Sequence, residues 1–447
     1  MQNKLTVFIP VETKARELPY KSPLSYILVE LGFKVIIGRQ QELRLSWFKR
    51  RNFIYIDKSA ARTKLNLFRD IKKYGGGLGV FCEEGLLYKS KAQYISERIH
   101  EKCFRLIDIF WCWGPKQYRD ISENFDQKKL KVINSPRLAI AYKNRNSKRN
   151  KSKNKKCKIL FLTSFGRISR KLNLQQKTYL DILKERGTFN SKLGEKYYKD
   201  WDNYYRNYKN SFIKMINELC NTFSNISFLI RIHPTESKAD YEQIVSENKN
   251  LKFSNYNSLV DSIINSYYVI STYSTSALEA KLMNKNSIVF APLSDERFDP
   301  IIIKDLCNCY SSIDEITSII KDKKSLNFSN QNFSNYLESS IGNEFEILLS
   351  YAKEIIQQSK YIKTYNGPLH LFIKIKYFLK FYLRELIYKL KIKEDTINAI
   401  SKCKDLSSED IINYSEEFFS GNNKFSNIKQ NYLVKKLSNN VFEISKN

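Results

Sequence analysis

A chain of 447 residues, 42% hydrophobic and 14% aromatic, is long enough for two ordinary cores and too apolar to stay disordered. Its formal net charge of +30 calls for an anionic counterpart: nucleic acid, an acidic membrane surface or phosphorylated substrates. Eight cysteines without a CxxC pair argue against a zinc or disulfide framework, so free thiols in a reducing cytoplasm are expected.

The opening run LTVFIPVETKAR is broken by proline and charge and does not read as a secretory leader. Nor is there a stretch of about 20 uncharged apolar residues that could span a bilayer. Within residues 1–142, LTVFIPV, FKVIIG, FIYID, GVFCEE, IDIFWCWG and LKVINSP read as strands. SPLSYILVELG, ARTKLNLFRDIKKY and AQYISERIHEKC between them have helical spacing. Alternation of this kind predicts a parallel sheet covered on both faces, a Rossmann-like domain. Residues 143–158 then hold nine Lys/Arg and no acid, which predicts a solvated basic linker.

The alternation resumes over 159–334 with KILFLTS, ISFLIRIHP, LKFSN, YYVIST and SIVFAP, predicting a second Rossmann-like domain. Inside it, GEKYYKDWDNYYRNYKN reads as a helical excursion. Its Asp200-Trp201-Asp202 mimics a DxD metal motif but sits mid-helix, so it is taken as a solvated face and no metal is expected. Residues 335–360 suit one long helix packing back on the domains. Residues 361–395 form a basic amphipathic helix, suited to a membrane interface or to packing on the protein, and 396–447 read as a polar tail.

Two α/β domains predict a shared central cleft, and ligands of such sheets bind at the carboxyl ends of the strands. Three strand ends there carry chemistry. His233, one of only three histidines, ends ISFLIRI and is followed by Pro234, so its imidazole can donate to a phosphate or move a proton. Ser271, Thr272, Ser274, Thr275 and Ser276 follow YYVI, and Ser276 with Glu279 has capping-box spacing, predicting a helix start with amides for an anion. Glu83 and Glu84 end GVFCEE; two adjacent carboxylates cannot both be buried cheaply, so one is expected to face the cleft as a base. Arg231 is a further source of positive potential. The upstream YGGGLGV precedes a strand instead of following one and is not a dinucleotide fingerprint.

In order and spacing, Glu83-Glu84-Gly85, His233-Pro234 and the Ser/Thr cluster resemble the D/E-D/E-G, HP and SS/ST motifs of bacterial sialyltransferases, GT-B enzymes that use CMP-activated sugars. IPVETKARELPYKSPLSYILVELGFKVIIG and INSPRL are similar to surface carbohydrate biosynthesis proteins related to capsule and lipopolysaccharide transferases, a likeness over most of residues 1–330. The resemblance implies that Glu84 is the general base and that Glu83 orients it or binds acceptor. It also implies that His233 contacts the donor phosphate and that Ser274 with Thr275, or else Ser271 with Thr272, holds the same group. The expected function is metal-independent transfer of a sialic acid-like or Kdo sugar from its CMP donor to a glycan or lipid-linked glycan acceptor. No cofactor beyond the nucleotide-sugar donor is implied. Expected location is the cytoplasm, with peripheral contact at an anionic inner membrane face. A CDP-glycerol glycerophosphotransferase is the alternative, since its HP and Ser-rich helix start are similar. A nucleic-acid-binding protein would suit the charge, but no RRM, KH, helix-turn-helix or zinc-finger signature is present and no nucleic acid is expected. A catalytically dead scaffold of a polysaccharide assembly complex is a third reading.

Overall fold

The computed structural model describes residues 5–447 except 46–51, 84, 86, 147–157, 170–176, 186–188, 190–192, 257, 327–332, 338–342, 359–361, 363–369, 391–395, 397–399, 421, 423–424 and 426. The chain divides into two compact units, one made of residues 1–86, 91–140 and 334–447, the other of 87–90 and 141–333. The first unit opens with β1 (Thr6–Val11), β2 (Lys34–Arg39), β3 (Phe53–Asp57), β4 (Gly77–Phe81), β5 (Ile109–Cys112) and β6 (Leu130–Val132). The second carries β7 (Lys158–Leu162), β8 (Ser227–Arg231), β9 (Leu251–Phe253), β10 (Tyr268–Ser271), β11 (Asn286–Phe290) and β12 (Asn308–Tyr310). The chain then returns to the first unit, where β13 (Tyr432–Ser438) and β14 (Val441–Lys446) close it.

The sheet of the first unit runs β13-β14-β2-β1-β3-β4-β5-β6. The six strands from β2 to β6 in that order are parallel, and β14 joins β2 antiparallel with Phe442 opposite Ile37. β1 is buried at every position, as an apolar strand covered on both faces must be. Gly38 lets the last strand approach: a Cβ there would lie 2.3 Å from the Asn440 carbonyl oxygen and 2.7 Å from Val441 Cα. The sheet of the second unit, β12-β11-β10-β7-β8-β9, is parallel throughout.

Three expectations change. Residues 396–447 are not merely a polar tail: Ser408–Phe418 is a helix capped by Ser407 and Asp410, and Val441, Phe442 and Ile444 bury their side chains in the hairpin. Residues 335–360 do not form one helix. A short turn spans Phe333–Tyr336, and the helix Glu344–Gln357 starts only where the Asn343 side chain accepts the Glu346 N–H. The tyrosine-rich segment belongs to a 29-residue helix, Gly194–Thr222, that is core and not a solvated face. Trp201 and Asp202 are buried, and Asp202 is ion-paired to Arg206 at 2.6 Å. The ring of Trp201 stacks on Tyr205 with centroids 4.3 Å apart, so the aromatic spacing serves packing. Most of the expected basic linker, residues 147–157, lies outside the described residues.

Candidate functional site

Numbered from its own first strand, the second unit has the order 3-2-1-4-5-6, the doubly wound arrangement in which connections reverse direction between β7 and β10. Such a reversal leaves a crevice beyond the carboxyl ends of the strands, where ligands bind. The loops that leave β7, β8 and β10 meet there. His233, two residues beyond β8, is exposed. Its backbone N–H donates to Thr163 Oγ1 at 3.1 Å, and Nδ1 accepts the Thr235 N–H at 3.3 Å. The Thr235 hydroxyl lies 2.7 Å from the same nitrogen. With Nδ1 accepting a backbone donor, the neutral imidazole carries its proton on Nε2 and presents a donor there.

A buried carboxylate fixes this loop. Glu236 Oε1 accepts the Phe165 N–H at 2.7 Å, and its other oxygen accepts the Tyr241 hydroxyl. Burial pushes the Glu236 carboxyl above its ordinary range despite these bonds. The segment after β7 is thereby tied to the loop after β8, and the approach is so close that any side chain at 166 must displace the Thr235 hydroxyl. A Cβ there would sit 2.0 Å from Thr235 Oγ1 and 3.3 Å from His233 Nδ1. Across the reversal, Ser164 Oγ is hydrogen-bonded to Thr272 Oγ1.

The hydroxyl cluster divides into two parts. Ser271 and Thr272 are buried, and the Ser271 hydroxyl has no hydrogen-bond partner among the described residues. Ser274, Thr275 and Ser276 are partly exposed at the start of the helix Thr275–Leu282. The helix begins one residue before the expected capping box. Ser274 is its N-cap, with extended backbone, and its side chain makes no cap bond but lies 2.5 Å from Ser276 Oγ. Glu279 is buried along the helix and does not form the box. First-turn amides lack intrahelical acceptors, so their positive end faces the partly exposed hydroxyls. Arg231 is engaged elsewhere: its guanidinium donates to the Tyr256 carbonyl at 2.7 Å and to Ser262 Oγ at 3.1 Å, which ties β8 to the segment after β9. Pro234 is exposed in the turn.

In the first unit the sheet order changes hand between β1 and β3, and Glu83 lies two residues beyond the end of β4, the strand next to β3. Glu84 lies outside the described residues. Glu83 does not face solvent; it is 4% exposed. Its Oε1 accepts the Tyr20 hydroxyl and pairs with Lys21 at 3.1 Å. Lys21 also pairs with Glu17 at 2.7 Å and donates to the Pro10 carbonyl at 2.9 Å. Burial favours a neutral Lys21, but Glu17 and Glu83 outweigh it and hold the ammonium above its ordinary range. Burial also raises the Tyr20 hydroxyl, and the Glu83 charge raises it further. Glu83 is thus a compensated buried charge beside the Glu84 position, which suits orientation better than proton abstraction.

Sequence reasoning missed Ser164, Gly166, Thr235 and the Glu236 brace. The signal was present in KILFLTSFG, a strand ending in hydroxyls and then glycine.

No protein-family model matches the chain, and no curated protein matches it in sequence. Among solved structures, it is similar to a Listeria monocytogenes protein assigned as a UDP-N-acetylglucosamine 2-epimerase, with TM-score 0.50, 11% identity and coverage of 82% of this chain and 100% of that one. The chain has a GT-B-like fold. Its two Rossmann-like domains are the two units described above. Looser likenesses are a Neisseria meningitidis UDP-GlcNAc 2-epimerase bound to UDP-GlcNAc (TM-score 0.49, 12% identity, 79% of this chain, 100% of that chain) and the wall teichoic acid polymerase TagF (TM-score 0.44, 12% identity, 80% and 89%).

Proposed function

We propose that this protein is a glycosyltransferase of cell-surface glycan assembly that takes its sugar from a nucleotide-activated donor. One observation carries the reading: at the sheet reversal of the second unit, the exposed His233, fixed by the Thr235 hydroxyl, is bonded to Thr163 after β7, and the next residue, Ser164, is bonded to Thr272 just ahead of the helix Thr275–Leu282. An imidazole donor beside a helix N-terminus binds a phosphate and stabilises the charge that develops on it as a phosphate leaves. His233 and the Ser274–Thr275 amides and hydroxyls hold the donor phosphate, while Ser164 and Thr272 shape the crevice wall. Arg231 acts as a brace.

Within that class we assign a CMP-linked acidic sugar as donor and a glycan, free or lipid-linked, as acceptor; the ordered acidic, His-Pro and Ser/Thr motifs support this. Glu84 takes the role of base toward the acceptor hydroxyl, and Glu83, held by Lys21 and Tyr20, orients its neighbour.

The test is a panel of CMP-Kdo, CMP-sialic acid, CDP-glycerol and UDP-N-acetylglucosamine, read first as a shift in Tm and then as turnover. A ligand that binds only the folded state raises Tm, by about 2.7 kcal/mol of stabilisation at a hundredfold excess over Kd. Turnover of a CMP-sugar with loss in Glu84→Gln and His233→Ala is the expected result. Turnover of CDP-glycerol alone would replace glycosyl transfer with phosphodiester formation. Acceptor-independent conversion of UDP-N-acetylglucosamine would make the protein an epimerase.

A further inference from the structure

The helix His370–Lys389 has two opposite faces. One is fastened to the first unit. The Tyr377 hydroxyl donates to Asp70 at 2.7 Å, and Lys376 pairs with the same carboxylate at 2.6 Å. Glu385 is bonded to Arg39 at 2.6 Å, and the Arg39 guanidinium lies 5.8 Å from the ring centre of Phe381. Among the described residues the other face makes no such contact and is mostly apolar. Phe372 is 75% exposed, Leu379 61%, Leu390 59%, Leu383 58% and Leu386 52%, with Ile375, Phe378 and Tyr382 beside them. At 100° per residue these eight side chains fall within an arc of roughly 140°. Exposed Lys380 lies about 60° beyond one edge of the arc, and exposed Lys389 falls just inside the other.

We propose that this face docks the protein on an anionic lipid bilayer, with the helix lying in the membrane interface. A stripe of large aliphatic and aromatic side chains, bordered by lysines, partitions its apolar part below the headgroups and leaves its cations among them. Spanning is excluded for this element, since no helix among the described residues is long and apolar enough to cross a membrane. Charge selects the occupant. Residues 370–389 contain five Lys/Arg and one Glu, in a chain of net charge +30. An acidic lipid surface complements that charge, whereas a second copy of the same helix would meet it with like charge. The attachment to Arg39, at the carboxyl end of β2, puts the docking helix beside the strand ends of the first sheet, where ligands of such sheets bind. An acceptor carried on a lipid would then be presented to that edge.

The test uses the full chain and does not depend on turnover. Co-sedimentation is measured with vesicles of phosphatidylcholine alone and of phosphatidylcholine mixed with phosphatidylglycerol. Binding to the mixed vesicles, weakening with salt and roughly tenfold lower on neutral vesicles, is the expected result. Leu379→Glu/Leu383→Glu/Leu386→Glu alters exposed positions only and keeps the Tm, yet should lower vesicle partition by at least roughly tenfold. Lys380→Glu/Lys389→Glu should weaken binding to the mixed vesicles alone. The proposal is overturned if the wild-type chain ignores both vesicles or if the triple variant binds as well as it does. It is also overturned if light scattering finds a dimer that the triple variant breaks, without vesicle binding. Loss of the glycosyltransferase reading in the donor panel would leave these outcomes unchanged.

Discussion

Gly166 offers the sharpest test of the crevice. Replacing it with alanine puts a methyl 2.0 Å from Thr235 Oγ1 and 3.3 Å from His233 Nδ1. Non-bonded atoms settle near 3.5 Å, so the hydroxyl must retreat by more than about 1 Å. That motion breaks its 2.7 Å contact with His233 Nδ1. Losing one hydrogen bond of this kind costs about 0.5–1.5 kcal/mol, which lowers Tm by about 1–6 °C in a domain of this size. The functional loss should be larger. A displacement near 1 Å in a positioned group costs about 10²-fold in rate, and it should fall mainly on kcat, since the imidazole is asked to stabilise a leaving phosphate. The assay is transfer from the donor that the nucleotide panel identifies, together with a thermal melt. Thr235→Ala removes the same contact without adding a methyl and should reproduce most of the loss. A Gly166→Ala protein with a lowered Tm but wild-type kcat/KM would refute the assigned role of His233.

Lys21→Met strips the counter-charge from Glu17 and Glu83, whose side chains are 1% and 4% exposed, and should cost about 3–5 kcal/mol in urea unfolding, partly recovered by adding Glu17→Gln. A cost below about 1 kcal/mol would show that the charges are not buried together. Burial raises the Glu17 carboxyl, but Lys21 and Arg16 lower it further, leaving its folded pKa below the ordinary 4.5. The stability it contributes is therefore complete above about pH 4.5 and lost as pH falls through the folded value; Glu17→Gln should flatten that acid limb of a Tm–pH curve. Trp201→Ala opens a cavity beneath Tyr205 and removes the ring that Lys89 and Arg167 approach within 5.1 and 5.4 Å, so unit two should lose about 3–5 kcal/mol, measurable by urea unfolding.

Strand ends were readable because parallel sheets demand short apolar runs stopped by polar residues, and His233 and Ser274 stand at such stops. The exact helix start was not: hydroxyls at 274, 275 and 276 are equivalent in sequence, and only backbone geometry makes Ser274 the cap. Glu83 shows a deeper limit. Desolvation cost alone argues against burying a bare carboxylate, but Glu83 is buried beside an ammonium that lies far away in the chain, at Lys21. Gly166 and Thr235 likewise meet only because β7 and β8 are neighbours. The polar composition of residues 396–447 hides the hairpin near the carboxyl terminus, although YLVKKLS and VFEISK alternate as strands do.

The placement of β14 against β2 has a consequence for biogenesis. Residues 141–333 supply almost all of one unit and can collapse once they leave the ribosome, whereas the other unit stays unfinished at its β2 edge until residues 441–446 are made. Until then β2 is an open edge with pairing groups exposed, a template for association with other chains. Ribosome stalling or proteolysis that removes the final hairpin should therefore yield aggregates rather than a smaller folded protein.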